Sequence, residues 1–264
     1  MVDTMTIEAN FSLQLHGQLA RVPASYHHAD ICAVCTFYRL NVDKDTPLEQ
    51  IAIALAKIRS PTSALDDSYI GTLTTQHRDK WAVHYELLRK ENARNIESLE
   101  QCLLVLCLDD ALPPSLSGPT KAEQCESILH GKGVAINSCN RWYDKTLQVV
   151  VGADGICGVV MEHSQSEGIT LLRFMEMFLK HLRDGPREAV DWTTSGLPVE
   201  KMSWKLSPTI REAIQDANEA LQIAVDDCDL YVLHFKEFGK EFPKSQNISP
   251  DVFVQLALQL TYYK

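Results

Sequence analysis

Residues 146–168 have the sequence TLQVVVGADGICGVVMEHSQSEG, and this stretch decides the interpretation of the whole chain. Two apolar runs, Leu147–Val151 and Ile156–Met161, are separated by Gly-Ala-Asp-Gly. Valine-rich runs on both sides of an Asp-Gly turn predict a β-hairpin, because glycine supplies the positive φ that such a turn needs. The second strand leads directly into Glu162 and His163. Functional groups are often held on a loop at the end of a rigid strand, so His163 is the first candidate for chemistry.

Composition excludes several classes of protein. The chain has 264 residues, 45% of them hydrophobic, and a net charge of -10. A substantial core in one or two domains is expected. The acidic balance argues against nucleic acid as a partner. The sequence shows neither a secretory signal nor an apolar run long enough to span a bilayer, so we expect a cytoplasmic protein without a membrane segment.

Eight cysteines are present, and most lie in apolar runs. Without a secretory signal, reduced and packed thiols are the expected state. Cys32 and Cys35 form a single CxxC motif inside a strand-like run, and no second pair has the spacing of a zinc site. We therefore expect no metal.

The pattern along the chain predicts four regions. Residues 1–30 have little periodicity and are expected to be an irregular leader, and residues 31–183 are expected to form an α/β domain. Residues 184–206 contain Gly-Pro and further breakers, which predict a linker. Residues 207–264 are expected to begin a second domain, which opens with a helix capped by Ser207.

Individual elements follow from the same patterns. One strand is predicted over Ile31–Val42 and a buried strand over Leu103–Leu108, closed by an exposed acidic pair, Asp109 and Asp110. A helix is predicted to run towards Asn92, followed by a short helix that opens at residue 95. Alternation predicts another strand over Asp229–Phe235.

A second candidate site follows that last strand. Lys236, Lys240 and Lys244 recur at a spacing of four residues, and Ser249-Pro250-Asp251 is a helix start with a cap, a first-turn proline and a favourable acid. Lysines in this pattern either form a solvated loop or provide a cationic patch for an anionic ligand.

The chain resembles the choline/carnitine acyltransferases. The resemblance rests on Asn-Arg-Trp-Tyr-Asp-Lys at 140–145, on the hairpin, and on Glu162-His163 followed by Glu167-Gly168. It implies a chloramphenicol-acetyltransferase-like fold, a mixed sheet flanked by helices, which is incomplete in this chain. It further implies that His163 is the general base. Glu167, four positions on, is a candidate to support the histidine or to line the site, and a solvated loop carboxylate is the alternative.

The same resemblance covers the lysine segment. It implies that coenzyme A binds there, with Lys240 and Lys244 at its phosphates and with Gly239, Ser249 and Asp251 lining the cofactor. Acetyl-CoA would be the co-substrate, with no metal. The residues that bind choline or carnitine and the oxyanion donor are expected beyond Lys264, so we expect the chain to be the middle of the enzyme.

Three functions remain open at this stage. Tyr143, Val150-Val151-Gly152 and the residues before His163 favour a choline O-acetyltransferase, which makes acetylcholine. The segments Gln76-His77-Arg78 and Phe242-Pro243-Lys244-Ser245 favour a carnitine O-acetyltransferase. A non-catalytic truncated paralogue is the alternative from a different class.

Overall fold

The computed structural model describes residues 28–33, 35–43, 45–59, 69–114, 118–164, 167–184 and 190–263. Most of the predicted leader lies outside these residues. Its last three residues are not irregular, because the first strand begins at His28.

Strands and helices alternate through most of the described chain. The strands are β1 (His28–Ala33), β2 (Thr36–Asn41), β3 (Val105–Asp109), β4 (Leu147–Gly152), β5 (Cys157–Met161) and β6 (Val199–Lys201). The helices are α1 (Leu48–Arg59), α2 (Arg78–Gln101), α3 (Lys121–His130), α4 (Gly168–Asp184), α5 (Pro208–Asp226), α6 (Glu241–Ser245) and α7 (Pro250–Tyr263). A 3-10 helix, Ile70–Thr75, precedes α2.

The six strands form one mixed sheet in the order β5-β4-β3-β1-β2-β6. β1, β3 and β4 are parallel neighbours, and the other pairs are antiparallel. Val150 belongs to a buried cluster with residues of α2 and α5, whereas its neighbour Val149 belongs to a second cluster with residues of α1. Successive side chains of a strand point to opposite faces, so both faces of the sheet are covered. The expected α/β class with a mixed sheet is confirmed, and the chloramphenicol-acetyltransferase-like topology stays a prediction.

The two hairpins differ in how well the sequence predicts them. β4 and β5 pair across the Asp-Gly turn, where Gly155 has a φ of 83°, as expected. The predicted single strand over 31–42 is wrong: it is split into β1 and β2 by a tight turn at Cys35, whose φ is 58°. Neither glycine nor asparagine marks that turn, so the sequence pattern does not reveal it.

The predicted linker and second domain are arranged differently from the expectation. Within residues 184–206, β6 pairs with β2 and Met202 is buried in the core. The apolar face of α5 packs against that same core through Ile210, Ile214 and Ala217, and Leu221 on the same face is also buried. The boundary between the two compact units lies between Asp229 and Leu230.

The second unit begins with a segment for which the prediction is wrong. Asp229–Phe235 is irregular and not a strand, and no neighbouring strand pairs with it in the described part of the chain. A lone strand leaves its backbone groups without hydrogen bonds, so alternation alone cannot hold it. Phenylalanine rings at 238, 242 and 253 contact one another in this unit.

Helix α7 has no buried residue and leaves its large apolar side chains exposed. Its exposed large residues are Val252 (48%), Val254 (54%), Leu256 (56%), Leu258 (61%), Leu260 (57%), Tyr262 (96%) and Tyr263 (90%).

Candidate active site

The segment before β4, residues 140–145, is anchored almost residue by residue. Arg141 makes two parallel bonds to Asp109, Nη1 to Oδ1 at 2.7 Å and Nη2 to Oδ2 at 2.8 Å. Arg141 is 0% exposed and Asp109 is 2% exposed, so the predicted exposed position of Asp109 is wrong. Burial alone would lower the pKa of Arg141, but the hydrogen bonds and charge of Asp109 outweigh it and raise that pKa. The pair fixes the segment to the end of β3.

The next residues connect the segment to the start of α2. The Tyr143 amide donates to Thr74 Oγ1 at 2.9 Å. Asp144 accepts from Arg78 Nη1 at 2.5 Å and from Trp81 Nε1 at 2.8 Å, which holds its carboxylate on both oxygens. The hydrogen bond and charge of Asp144 raise the pKa of Arg78. Asp144 therefore has a fixed position and orientation.

Aromatic side chains pack against Trp142 in the same segment, residues 140–145. The Trp142 ring lies 5.6 Å from Trp81 in an edge-on arrangement and 6.4 Å from Trp204 in a stacked one. Edge-on and stacked pairs at these centroid distances are favourable beyond the area that they bury. The indole of Trp142 thus joins α2 and the segment after β6 to the site.

Both ends of helix α2 contact residues 140–145, because the helix bends. Its backbone leaves the helical region at Asn92, where φ is -129° and ψ is 34°. Residues 85 and 100 would lie about 22 Å apart on a straight helix, yet the Tyr85 hydroxyl donates to Glu100. Beyond the bend, Lys145 Nζ donates to the carbonyls of Leu99 (2.9 Å) and Glu100 (3.0 Å), which caps the helix end.

His163 is joined to this framework by strand pairing. Leu147 faces Met161 in the hairpin, and the Glu162 amide continues the ladder by donating to Thr146 O at 3.0 Å. His163 follows at once, in a turn, with its side chain 64% exposed. The Glu162 carboxylate accepts from the Ser164 amide at 3.1 Å and from its hydroxyl at 2.6 Å, which holds the turn. The candidate base is therefore accessible to solvent on an anchored strand end.

Glu167 lies beside His163. Its Oε2 atom is 3.4 Å from His163 Nε2, and its side chain is 84% exposed. The structure thus brings the two predicted residues of the first unit together.

The other predicted residues belong to the second unit. Lys240 precedes α6 and Lys244 is in its last turn, both exposed, and Lys244 Nζ lies 3.1 Å from Glu241 Oε1. A Cβ on Gly239 would meet nothing within 4 Å. The Ser249 carbonyl accepts from the Phe253 amide at 2.9 Å, and Asp251 stands in the first turn of α7. Both lysines are therefore open to solvent, with the acidic Glu241 between them in the chain.

Two features are absent from the described ranges. No group of three or more metal-ligating side chains is close enough to hold an ion. Among those residues, no helix combines the length and apolar character needed to cross a bilayer.

A family model described as Choline/Carnitine o-acyltransferase matches residues 8–264. The chain therefore belongs to the choline/carnitine O-acyltransferase family. It is 36% identical over 235 residues to human carnitine O-acetyltransferase and 37% identical over 235 residues to that of Columba livia; both matches cover 86% of this chain and 37% of the relative. Choline O-acetyltransferase of Mus musculus is 42% identical over 199 residues, which are 74% of this chain and 31% of the relative. The chain spans about a third of the length of these curated relatives.

Sequence reasoning missed the residues that hold the site. Arg78, Trp81 and Asp144 form one hydrogen-bonded group, although Arg78 and Asp144 are 66 positions apart. No local pattern predicts such a pair. The only available signal was that Asp144 lies within the six-residue motif before the hairpin.

Proposed function

We propose that this chain carries the general base and part of the coenzyme A surface of an acetyl-CoA-dependent O-acetyltransferase whose acceptor is choline. The observation that carries the proposal is the arrangement of His163: an exposed imidazole on an anchored strand end, with a carboxylate 3.4 Å away. Family membership supports the class of reaction.

His163 takes the proton from the acceptor hydroxyl while the hydroxyl oxygen attacks the thioester carbonyl. Histidine is the side chain most often used for proton transfer near neutral pH, and such assistance is worth about 10²- to 10⁴-fold in rate. Glu167 stabilises the imidazolium that results, because its negative charge lies next to the ring. The bonds to Glu162 keep the turn in place while the proton moves.

The second unit supplies the surface for the nucleotide phosphates. Lys240 and Lys244 are its proposed phosphate ligands, and Gly239, Ser249 and Asp251 line the cofactor. The pair between Lys244 and Glu241 is exposed, and pairs of this kind contribute little, so Lys244 can exchange it for a phosphate. An open backbone at Gly239 lets a ligand approach closely.

Choline is favoured over carnitine by identity. The match to the mouse choline enzyme is 42% and that to the human carnitine enzyme 36%. Carnitine is the second candidate because its relatives match a larger share of this chain, 86% against 74%.

Product analysis tests the proposal. The chain is incubated with acetyl-CoA and either choline or carnitine, and the acetyl ester is detected by mass spectrometry. Acetylcholine formed by the native chain and by the control His181→Ala, which changes a histidine elsewhere in the first unit, is the result that would support the proposal. We expect none from His163→Ala. Acetylcarnitine alone would overturn the choline assignment, and an undiminished product from His163→Ala would overturn the role of the base.

A binding measurement tests the cofactor surface separately. Calorimetric titration with coenzyme A is expected to show binding that weakens as ionic strength rises. Lys240→Gln with Lys244→Gln should lower the affinity about tenfold or more, since each lost charge-assisted bond is worth about 1.5–3 kcal/mol. The matched control is Lys57→Gln, an exposed lysine in α1. Binding that is lost in the lysine variant without any ester from the native chain would support the non-catalytic alternative.

A further inference from the structure

The turn between β1 and β2 is joined covalently to a distant part of the chain. Cys35 forms a disulfide with Cys139, with a Cα–Cα distance of 5.3 Å and a sequence separation of 104. That Cα distance lies within the range that disulfides require. The expectation of reduced thiols throughout the chain is therefore wrong for this pair.

The disulfide joins two parts of the chain at the carboxyl ends of the parallel strands. β1 and β3 are parallel, so the turn after Ala33 and the end of β3 at Asp109 lie on the same side. Asp109 binds both Asn140 and Arg141, which follow Cys139 directly. The disulfide thus adds a covalent tie where the segment before β4 meets the sheet.

The backbone at the turn also fits a tethered residue. Cys35 has a φ of 58°, in the left-handed region, where residues other than glycine are uncommon. Such a conformation persists when the surrounding structure determines it. Pairing of Ala33 with Thr36 and the bond to Cys139 supply that constraint.

The two sulfurs differ in access. Cys139 is 2% exposed, whereas Cys35 is only partly buried. Thiol–disulfide exchange begins with attack by an accessible thiolate on an external disulfide. Only Cys35 is placed to make that first attack.

We propose that Cys35 and Cys139 are a reversible thiol–disulfide couple that raises the stability of the first unit when a small disulfide such as oxidised glutathione is present. The Cys35 thiolate attacks one glutathione sulfur, forms a mixed disulfide and releases one glutathione thiolate, which takes up the proton that Cys35 lost. The Cys139 thiolate then attacks Cys35 Sγ, forms the internal disulfide and releases the second glutathione. Two protein thiols are oxidised and one glutathione disulfide is reduced to two thiols.

The other cysteines provide internal controls. Burial raises the pKa of Cys102 and that of Cys107 to about 12, so these thiols stay protonated and unreactive. Cys125 and Cys157 are exposed and free, and Cys228 is partly exposed, so each of the three can take a glutathionyl group of its own.

The experiment combines intact-mass analysis with thermal unfolding in buffers of reduced or oxidised glutathione. In a background in which Cys125, Cys157 and Cys228 are changed to serine, we expect oxidation to remove two hydrogens and to map to a peptide linking residues 35 and 139. Oxidation should also raise Tm by about 5–15 °C, as expected for closing a long loop. Reduced glutathione should reverse both changes.

Two variants test the order of the steps. Cys139→Ser should keep a glutathionyl group on Cys35 and show no rise in Tm. Cys35→Ser should leave Cys139 unmodified. The Tm of this variant should be the same in the two buffers. The proposal fails if the native pair remains open to alkylation in oxidised glutathione, if the bond forms without a rise in Tm, or if residue 139 reacts first.

Discussion

Arg141 and Asp109, which lie 32 residues apart in the chain, form a bidentate salt bridge. The pair is almost completely buried. The main chain of Asp109 is used as well: its carbonyl accepts from Arg59 Nη2 at 2.8 Å and from the Ala153 amide at 3.0 Å. This one residue therefore joins α1, the β4–β5 hairpin and the segment before β4.

Breaking this pair on one side should be costly. Arg141→Met leaves the carboxylate of Asp109 buried without its main partner, and Asp109→Leu leaves the guanidinium without a counter-charge, so each should lower the free energy of unfolding by about 3–5 kcal/mol. The double variant should lose less than the sum of the two, because no charge is then left unpaired. Urea unfolding of the four proteins measures this cycle. Strict additivity would show that the two side chains act independently.

The bend in α2 should depend on the side chain of Asn92. Its Nδ2 donates to Leu88 O at 2.9 Å and to Lys205 O at 2.8 Å, and its Oδ1 accepts from the Lys205 amide at 2.7 Å. Asn92→Ala leaves buried backbone groups without partners, and we expect a loss of about 2–4 kcal/mol in chemical unfolding. Asn95→Ala removes a single exposed bond, to Ser203 O, and should cost about 1 kcal/mol or less. Equal losses in the two variants would contradict the role of Asn92.

Stability should fall as pH rises because of Asp30. Burial raises its pKa from 3.8 to about 7, although bonds and charges from Ser98 and Arg39 oppose that shift. Below pH 4 the group is protonated in both states, whereas between about pH 4 and 7 only the native state keeps the proton. Stability is therefore lost across this window, at up to about 1.4 kcal/mol per pH unit.

Asp30→Asn tests that pH dependence. The amide oxygen can still accept the bond from Ser98 Oγ, which is 3.0 Å from Asp30 Oδ1. We expect the variant to gain stability relative to the native chain between about pH 5 and about pH 8 in urea titrations. The exposed Asp43→Asn is the control and should show no such trend. A constant difference between native and Asp30→Asn would refute the assignment.

Gly71 should tolerate no side chain. A Cβ at this position would lie 2.1 Å from the carbonyl oxygen of Arg141 and 2.9 Å from that of Cys139. Because both contacts are backbone atoms of the anchored segment, Gly71→Ala should cost about 2–4 kcal/mol. Gly168→Ala, in open space at the start of α4, should be neutral or slightly stabilising. Calorimetric unfolding of both variants compares the two sites, and a neutral Gly71→Ala would show that the segment can shift.

Local sequence patterns predicted the secondary-structure elements that depend on local interactions. The β4–β5 hairpin follows from its Asp-Gly turn, and the buried face of α5 follows from apolar spacing. His163 and Glu167, which lie 3.4 Å apart, are only four positions apart in the chain. In contrast, the burial of Asp109 depends on Arg141, and the orientation of Asp144 depends on Arg78. Such pairs arise only from tertiary packing, so the sequence could not reveal them.

Strand β6 was missed for a related reason. It has only three residues, and its partner lies on β2, so Arg39 faces Glu200. A run so short carries no alternation that distinguishes it from a loop.

The place of β6 in the sheet also affects how the chain can fold during its synthesis. The outer edge of β2 stays unpaired until Val199–Lys201 has left the ribosome, although β2 itself emerges about 160 residues earlier. An unpaired strand edge can pair with a strand of another chain. During that interval, nascent chains on neighbouring ribosomes of one messenger RNA can therefore associate through their β2 strands. The outer edge of β2 is therefore protected only after translation has passed residue 201.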